Sequence, residues 1–214
     1  MIRSRALALA ALGLTLPAFA ATVVDTPDDF LPTYAGPLGA DLDVLTTEAF
    51  LDNVNNTLSV TTTLGGSVGT TPGAFYVFGF NRGEGTERFV TGTPSIGAGV
   101  SFDLVLLLRP DGSAQVNDIV GGVNTPLPAN SVLISGNTIS SIALPLSLFP
   151  TRGFAATDYT FNLWPRVSTV VGNTAVSDFA PDASNAGLTV VPAPSVAGGL
   201  LAAGLFGTAR RRNG

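Results

Sequence analysis

Between Val100 and Val116 the chain reads VSFDLVLLLRPDGSAQV, and this stretch restricts the fold more than any other. Val100, Phe102, Leu104, Leu106 and Leu108 recur at every second position, with Ser101, Asp103 and Arg109 on the opposite parity. A period of two is the repeat of an extended chain with one face toward a core, and Pro110-Asp111-Gly112 supplies residues suited to reversing it. The sequence therefore predicts a hairpin here. The same alternation puts Leu58, Val60, Thr62 and Leu64 on one face of a strand over residues 57–64. Further strands are expected over residues 74–80, 132–134, 138–144 (returning through Ser135-Gly136-Asn137) and 159–164. Short strands separated by Gly, Pro and Asn, with no useful helical period before residue 191, predict an all-β fold. The expected form is a single antiparallel β-sandwich.

The two ends of the chain are of another kind. MIRSRALALAALGLTLPAFA has a basic start at Arg3 and Arg5, an apolar stretch, a helix-breaking Pro17 and a small-x-small site at Ala18-Phe19-Ala20. Residues 1–20 read as a secretory signal peptide, with Ala21 as the mature start. At the far end, residues 196–209 contain no charge and Thr208 as their sole polar side chain. An element apolar all round suits lipid, but these 14 residues reach only about 21 Å as a helix, against the ~30 Å of a bilayer core. Arg210, Arg211 and Arg212 extend the reach by snorkelling to the headgroups and hold the cytoplasmic side. The expected organisation is a signal peptide over 1–20, a sandwich over 21–190, and a sorting tail with a short hydrophobic helix over 191–214.

The tail is similar to the PEP-CTERM sorting signal of exopolysaccharide-producing Gram-negative bacteria, in which Pro-Glu-Pro precedes an apolar segment and terminal arginines. Here Pro192-Ala193-Pro194 and Ser195 stand in that place, with alanine where the family has glutamate. The resemblance implies transient inner-membrane insertion, processing by an exosortase-type membrane protease, and delivery to the cell surface or extracellular matrix. A second resemblance covers residues 25–80. DLDV (Asp41 to Val44), the turn LDNVNNT and a strand beginning LSV are similar to the opening of DOMON-like sandwiches, including the ninth family of carbohydrate-binding modules. It implies a sandwich and, as a function, binding of an extracellular polysaccharide.

Composition narrows the chemistry between the two signals. All fifteen acids lie between Asp25 and Asp182, and only Arg82, Arg88, Arg109, Arg152 and Arg166 offset them there, so the mature domain carries about −10. Nucleic acid is excluded as a partner because phosphates require a basic face. Cysteine, histidine and lysine are all missing, which removes disulfides, thiolate and imidazole metal sites, catalytic triads and amine nucleophiles. Carboxylate chemistry survives: oxygen ligands for calcium, or a glycosidase pair. Asp25, Asp28, Asp29, Asp41 and Asp43 near the start, with Asp178, Asp182 and Asn185 near the end, would converge if the first and last strands are neighbours. Asp41, Asp43, Asp178 and Asp182 are the expected calcium ligands; the alternative is that these side chains solvate loops and cap turns.

Other motifs read more plainly. FNRGEGTERF (Phe80 to Phe89) lacks a phosphate-binding pattern and is expected to be a hairpin connection carrying Arg82–Glu84 and Glu87–Arg88 pairs. In YTFNLWPR, alternation separates Tyr159, Phe161 and Leu163 from Thr160, Asn162 and Trp164. An exposed Trp164 beside Arg166 would stack on a sugar ring, whereas a buried one would pack under a loop. Asp103 is the acid most embedded in apolar sequence, and no local pattern pairs it with a second one. The chain is thus expected to be a non-enzymatic surface or matrix protein without a cofactor, calcium aside, with a calcium-assisted carbohydrate-binding module as the alternative.

If the tail is a transient anchor, neutralising Arg210, Arg211 and Arg212 removes the topological stop and changes where the protein accumulates. Cell fractionation reads the change, and mass spectrometry of the mature C-terminus tests for trimming near residues 192–195. Unchanged, membrane-free secretion with an intact tail would refute the anchor.

Overall fold

The structure is a computed structural model and describes residues 22–191. The expected signal peptide and the tail residues Pro192, Pro194, Ser195, Arg210, Arg211 and Arg212 lie outside the described residues. Thirteen strands follow in chain order: β1 (Val23–Val24), β2 (Val44–Asp52), β3 (Thr57–Leu64), β4 (Ala74–Asn81), β5 (Leu104–Leu108), β6 (Ala114–Asp118), β7 (Val123–Pro126), β8 (Val132–Ser135), β9 (Thr138–Ser141), β10 (Leu144–Pro145), β11 (Thr160–Val167), β12 (Ala186–Gly187) and β13 (Thr189–Val191). They form two sheets. The first runs β1-β2-β3-β9-β8, with β10 beside β3 and β13 alongside β2; the second runs β12-β11-β4-β5-β6-β7. Every pairing is antiparallel except that of β13 with β2. The fold is an all-β sandwich, as the period-two pattern required.

Local chemistry sets the turns. β2 passes to β3 through a bend in which Asp52 Oδ1 accepts from the backbone N–H groups of Val54 (2.8 Å) and Asn55 (2.9 Å). Asn56 then takes φ 52°, a left-handed value that asparagine tolerates. β5 and β6 are joined as expected through Gly112 at φ 85°, with Arg109 and Ser113 closing the ladder. The strand expected over 138–144 is broken in two, β9 and β10, which pair with different parts of β3. β11 continues through Pro165. The Ser177 N–H donates to the Pro165 carbonyl. A residue's N and C=O leave an antiparallel strand on the same side, so the missing N–H falls away from β4, where only isolated bridges are made.

Between the sheets lie Leu51, Leu58, Val60 and Leu64 from the first, and Tyr76, Phe78, Phe80, Leu104, Leu106, Leu108, Phe161 and Leu163 from the second. The second sheet is buried on its other face too. Val77, Val105 and Trp164 project outward and are covered by Phe89, Val100 and Phe102 from the long connection before β5 and by Val176 and Phe179 from the one after β11. This corrects the simple alternation: Val100 and Phe102 belong to the outer cluster and Leu104, Leu106 and Leu108 to the inner one, the change of face falling at Asp103.

Asp103 is where the second sheet is tied together. Arg82, at the end of β4 and 0% exposed, donates from Nε to Asp103 Oδ1 (2.7 Å), from NH2 to Asp118 Oδ1 (2.8 Å) and from NH1 to the Pro150 carbonyl (2.8 Å). Asp118 Oδ2 receives Arg152 NH2 at 2.9 Å. The expected Arg82–Glu84 and Glu87–Arg88 pairs are not made; Arg88 Nε donates to the Phe102 carbonyl instead. The carboxylates that satisfy Arg82 come from β6 and from the residue before β5, beyond any local spacing.

A denaturation series separates these contributions. Leu106→Ala leaves a cavity between the sheets and is expected to cost about 2–5 kcal/mol. Arg82→Leu strands Asp103 and is expected to cost about 3–5 kcal/mol. Val171→Ala, at a side chain 85% exposed, should stay within about 0.5 kcal/mol. Similar losses for all three would mean the buried faces are misassigned.

Candidate carboxylate site

Five aspartates from three segments meet at one lateral edge of the sandwich. After β1 pairs with β2, the Asp25 N–H donates to the Leu45 carbonyl (3.0 Å), which fixes the start of the segment bearing Asp25 and Asp29. Asp28 turns that segment with φ 64°, and its N–H donates to Asp43 Oδ1 (2.9 Å), just before β2. The returning C-terminal segment is stitched to the same place. The Leu31 N–H donates to the Ser177 carbonyl (2.8 Å), and Ser177 Oγ donates to the Leu42 carbonyl (2.9 Å). Asp178 Oδ2 accepts from the Val44 N–H (3.0 Å) and Oδ1 from the Phe179 N–H (2.7 Å). Asp182 follows three residues after Phe179.

Carboxylate oxygens of Asp25, Asp29 and Asp182 lie within 4.8 Å of one another, as do those of Asp29, Asp43 and Asp178, so Asp29 is common to both groups. Buried oxygens Asp25 Oδ2 and Asp29 Oδ1 have no hydrogen-bond partner. Among the described residues no arginine pairs with any of the five; every salt bridge there involves Arg82 or Arg152. The electrostatic consequence is uniform. Burial, then the charges of Asp29 and Asp182, push the Asp25 carboxyl up to about 7, and burial pushes Asp178 up to about 8. Asp29 and Asp43 are also raised, chiefly by burial. Asp118 goes the other way: burial works to raise it, but hydrogen bonds from Arg82, Gly121 and Arg152 hold it down at about 2.

Of the expected calcium ligands, Asp43 and Asp178 meet in one group, Asp182 falls in the adjoining group that shares Asp29, and Asp41 is in neither. Asp41 is buried, with Oδ2 accepting from the Thr71 N–H (2.9 Å) and Oδ1 from the Thr71 hydroxyl, so it clamps the connection before β4. The helical turn over Ala40–Leu42 rotates it away from Asp43, where a strand would have put both on one face. Asp25 and Asp29, present in the acidic run but not among those four, complete the cluster. Asn185 lies elsewhere, accepting from the Ser101 N–H and donating to its carbonyl.

Trp164 is not an exposed platform. It is 2% exposed, meets Phe89 edge to face at 5.0 Å and Phe102 at 4.7 Å, and covers Gly79, where a Cβ would lie 2.3 Å from its ring. Covering loops bury the face that alternation left open to solvent. Arg166 lies with its guanidinium 5.6 Å from the Phe75 ring centre and donates to the Gly172 carbonyl. A shallow cleft of about 390 Å³ remains beside them, lined by Phe75, Val77, Leu107, Ile119 and Arg166. Asp103, the embedded acid, is held by Arg82 and by the Glu84 N–H rather than by a second carboxyl. In comparisons with known proteins, no family model, no curated protein and no solved structure matches the chain.

The cluster makes stability depend on pH in a fixed direction. Above the ordinary carboxylate value of 3.8, an unfolded chain releases the protons of Asp25 and Asp178, while the folded chain keeps them until about 7 and about 8. The folded state holds more protons across that window, so stability falls as pH rises through it. In chelator, the melting temperature is expected to be higher near about pH 5 than near about pH 9, and Asp25→Asn should flatten part of the slope. A rise with pH over the same range would contradict the cluster.

Proposed function

We propose that this is an exported, non-enzymatic protein of the cell surface or extracellular matrix, delivered by its PEP-CTERM-like tail, whose sandwich is locked at the acidic edge by a calcium ion. The observation that carries the calcium assignment is the pair of buried, unpartnered oxygens, Asp25 Oδ2 and Asp29 Oδ1, inside a group of carboxylates that no arginine among the described residues pairs with. Calcium takes six to eight oxygens at about 2.3–2.6 Å, so oxygens up to roughly 5 Å apart can share one ion. The spacing of both triads falls within that limit. Calcium there would join the N-terminal segment, the start of β2 and the returning C-terminal segment, which otherwise repel one another. It also suits an extracellular setting, where the ion is available to weak sites.

The outer face of the first sheet supports a structural role. Thr61 and Thr63 of β3 pair with Ser140 and Thr138 of β9, and with Thr57 and Ser59 they make a hydroxyl-rich surface whose aromatic contribution is the half-buried Phe50 opposite Ser59. The carbohydrate-binding alternative retains one favouring feature, the cleft bounded by Phe75 and Arg166, but loses the stacking ring because Trp164 is buried.

Melting curves of the purified protein in calcium, in magnesium and in chelator test the ion. A calcium-specific gain is expected, about 2.7 kcal/mol at a hundredfold excess over Kd. Asp29→Asn with Asp43→Asn should abolish it, whereas Asp41→Asn should not. Equal gains in both ions, or a gain surviving the double substitution, would leave the cluster as a proton-sharing group and remove calcium from the proposal.

A further inference from the structure

The edge opposite the carboxylates is chemically its inverse. It is made by β8, last strand of the first sheet, and β7, last strand of the second, joined by residues 127–131. From Ile119 to Thr151 the sequence runs for 33 residues without Asp, Glu, Lys or Arg, the longest charge-free stretch of the described residues. The next longest, residues 53–81, forms β3 and β4, which already have strand partners on both sides. Absence of charge is ordinary in a central strand and unusual on an edge, where charges guard unpaired backbone groups against other chains. β8 reads Val-Leu-Ile-Ser and carries no such guard; β7 has only Pro126. Val120, Val123, Leu133, Ile134 and Ile142 are all exposed along this span, Val123 by 55% and Leu133 by 53%. Asp111, at the β5–β6 turn, is the charged side chain that reaches the groove beside this edge.

We infer that β8 is a docking edge for a second copy of this chain, the two β8 strands pairing antiparallel about a twofold axis so that the first sheets join into one. A twofold contact sets each patch against itself, so a charged edge would meet its own sign. Two sandwich domains of about −10 each repel over most of their surfaces, and this edge is where approach costs least. The carboxylate cluster lies on the far side, beyond the reach of unscreened repulsion at ordinary salt. A charged polymer finds nothing here to recognise, and the exposed backbone with Leu133 and Ile134 suits a strand of like composition. This inference does not depend on calcium or on the export route.

Sedimentation of the full chain over a range of concentrations tests it. The expected result is a reversible dimer that persists at high salt, since no ion pair holds it. Leu133→Lys should weaken association by about tenfold or more by opposing like charges across the axis. Ser135→Lys, at another exposed position of β8, should do the same if the first variant is poorly folded, and Val171→Lys should change nothing. A wild-type monomer at the highest concentration attainable would overturn the inference. So would association that survives both β8 substitutions, which would place the contact elsewhere, the apolar tail included.

Discussion

A guanidinium with no solvent exposure has to be paired or the protein does not fold, and Arg82 is paired from three directions. Its partners sit on the residue before β5, at the end of β6 and on the connection before β11. Satisfying that one cation thus fixes β4, β5 and β6 relative to one another and to the connection before β11. The backbone follows: the Arg152 and Phe154 N–H groups both donate to the Arg82 carbonyl. A hydrophobic residue of similar volume would pack there without specifying which neighbours it meets. The charged network costs desolvation and in exchange dictates geometry.

Once the second sheet is set, its two faces have different fates. The inner face meets the first sheet, and the outer one is covered by loops that bring Phe89, Phe102 and Phe179 around Trp164. The loop that follows β11 also bears Ser177 and Asp178, which bond the start of β2 through Leu42 and Val44. The covering of one sheet and the closure of the other edge are therefore one construction. Acids gather there because both the first and last segments approach that edge carrying carboxylates. Arginine is spent elsewhere, on Asp103 and Asp118.

The molecule is polarised as a result. One lateral edge concentrates carboxylates whose proton affinity is raised, and the other is neutral, apolar and backbone-exposed. Such an arrangement concentrates repulsion at one side and leaves the opposite side without it. Both properties derive from where a small set of charges was placed along an otherwise uncharged β sequence.

The sequence by itself determined the strands, because alternation is a local property. Leu58, Val60, Thr62 and Leu64 are all buried on one face of β3, and Gly112 turns the hairpin where Pro110-Asp111-Gly112 said it would. It also determined that any charged metal ligands would be carboxylates, since cysteine and histidine are both missing. Tertiary structure alone decided which carboxylates meet: Asp178 and Val44 are 134 residues apart, and Asp41 is turned away from Asp43 by a single helical turn. It alone decided that Trp164 is core, because the loops that bury it begin outside its strand, and that Arg82 answers to Asp103 and Asp118 rather than to its neighbour Glu84. A period of two records which side of a strand a residue occupies, and it carries no information about what the rest of the chain lays over that side.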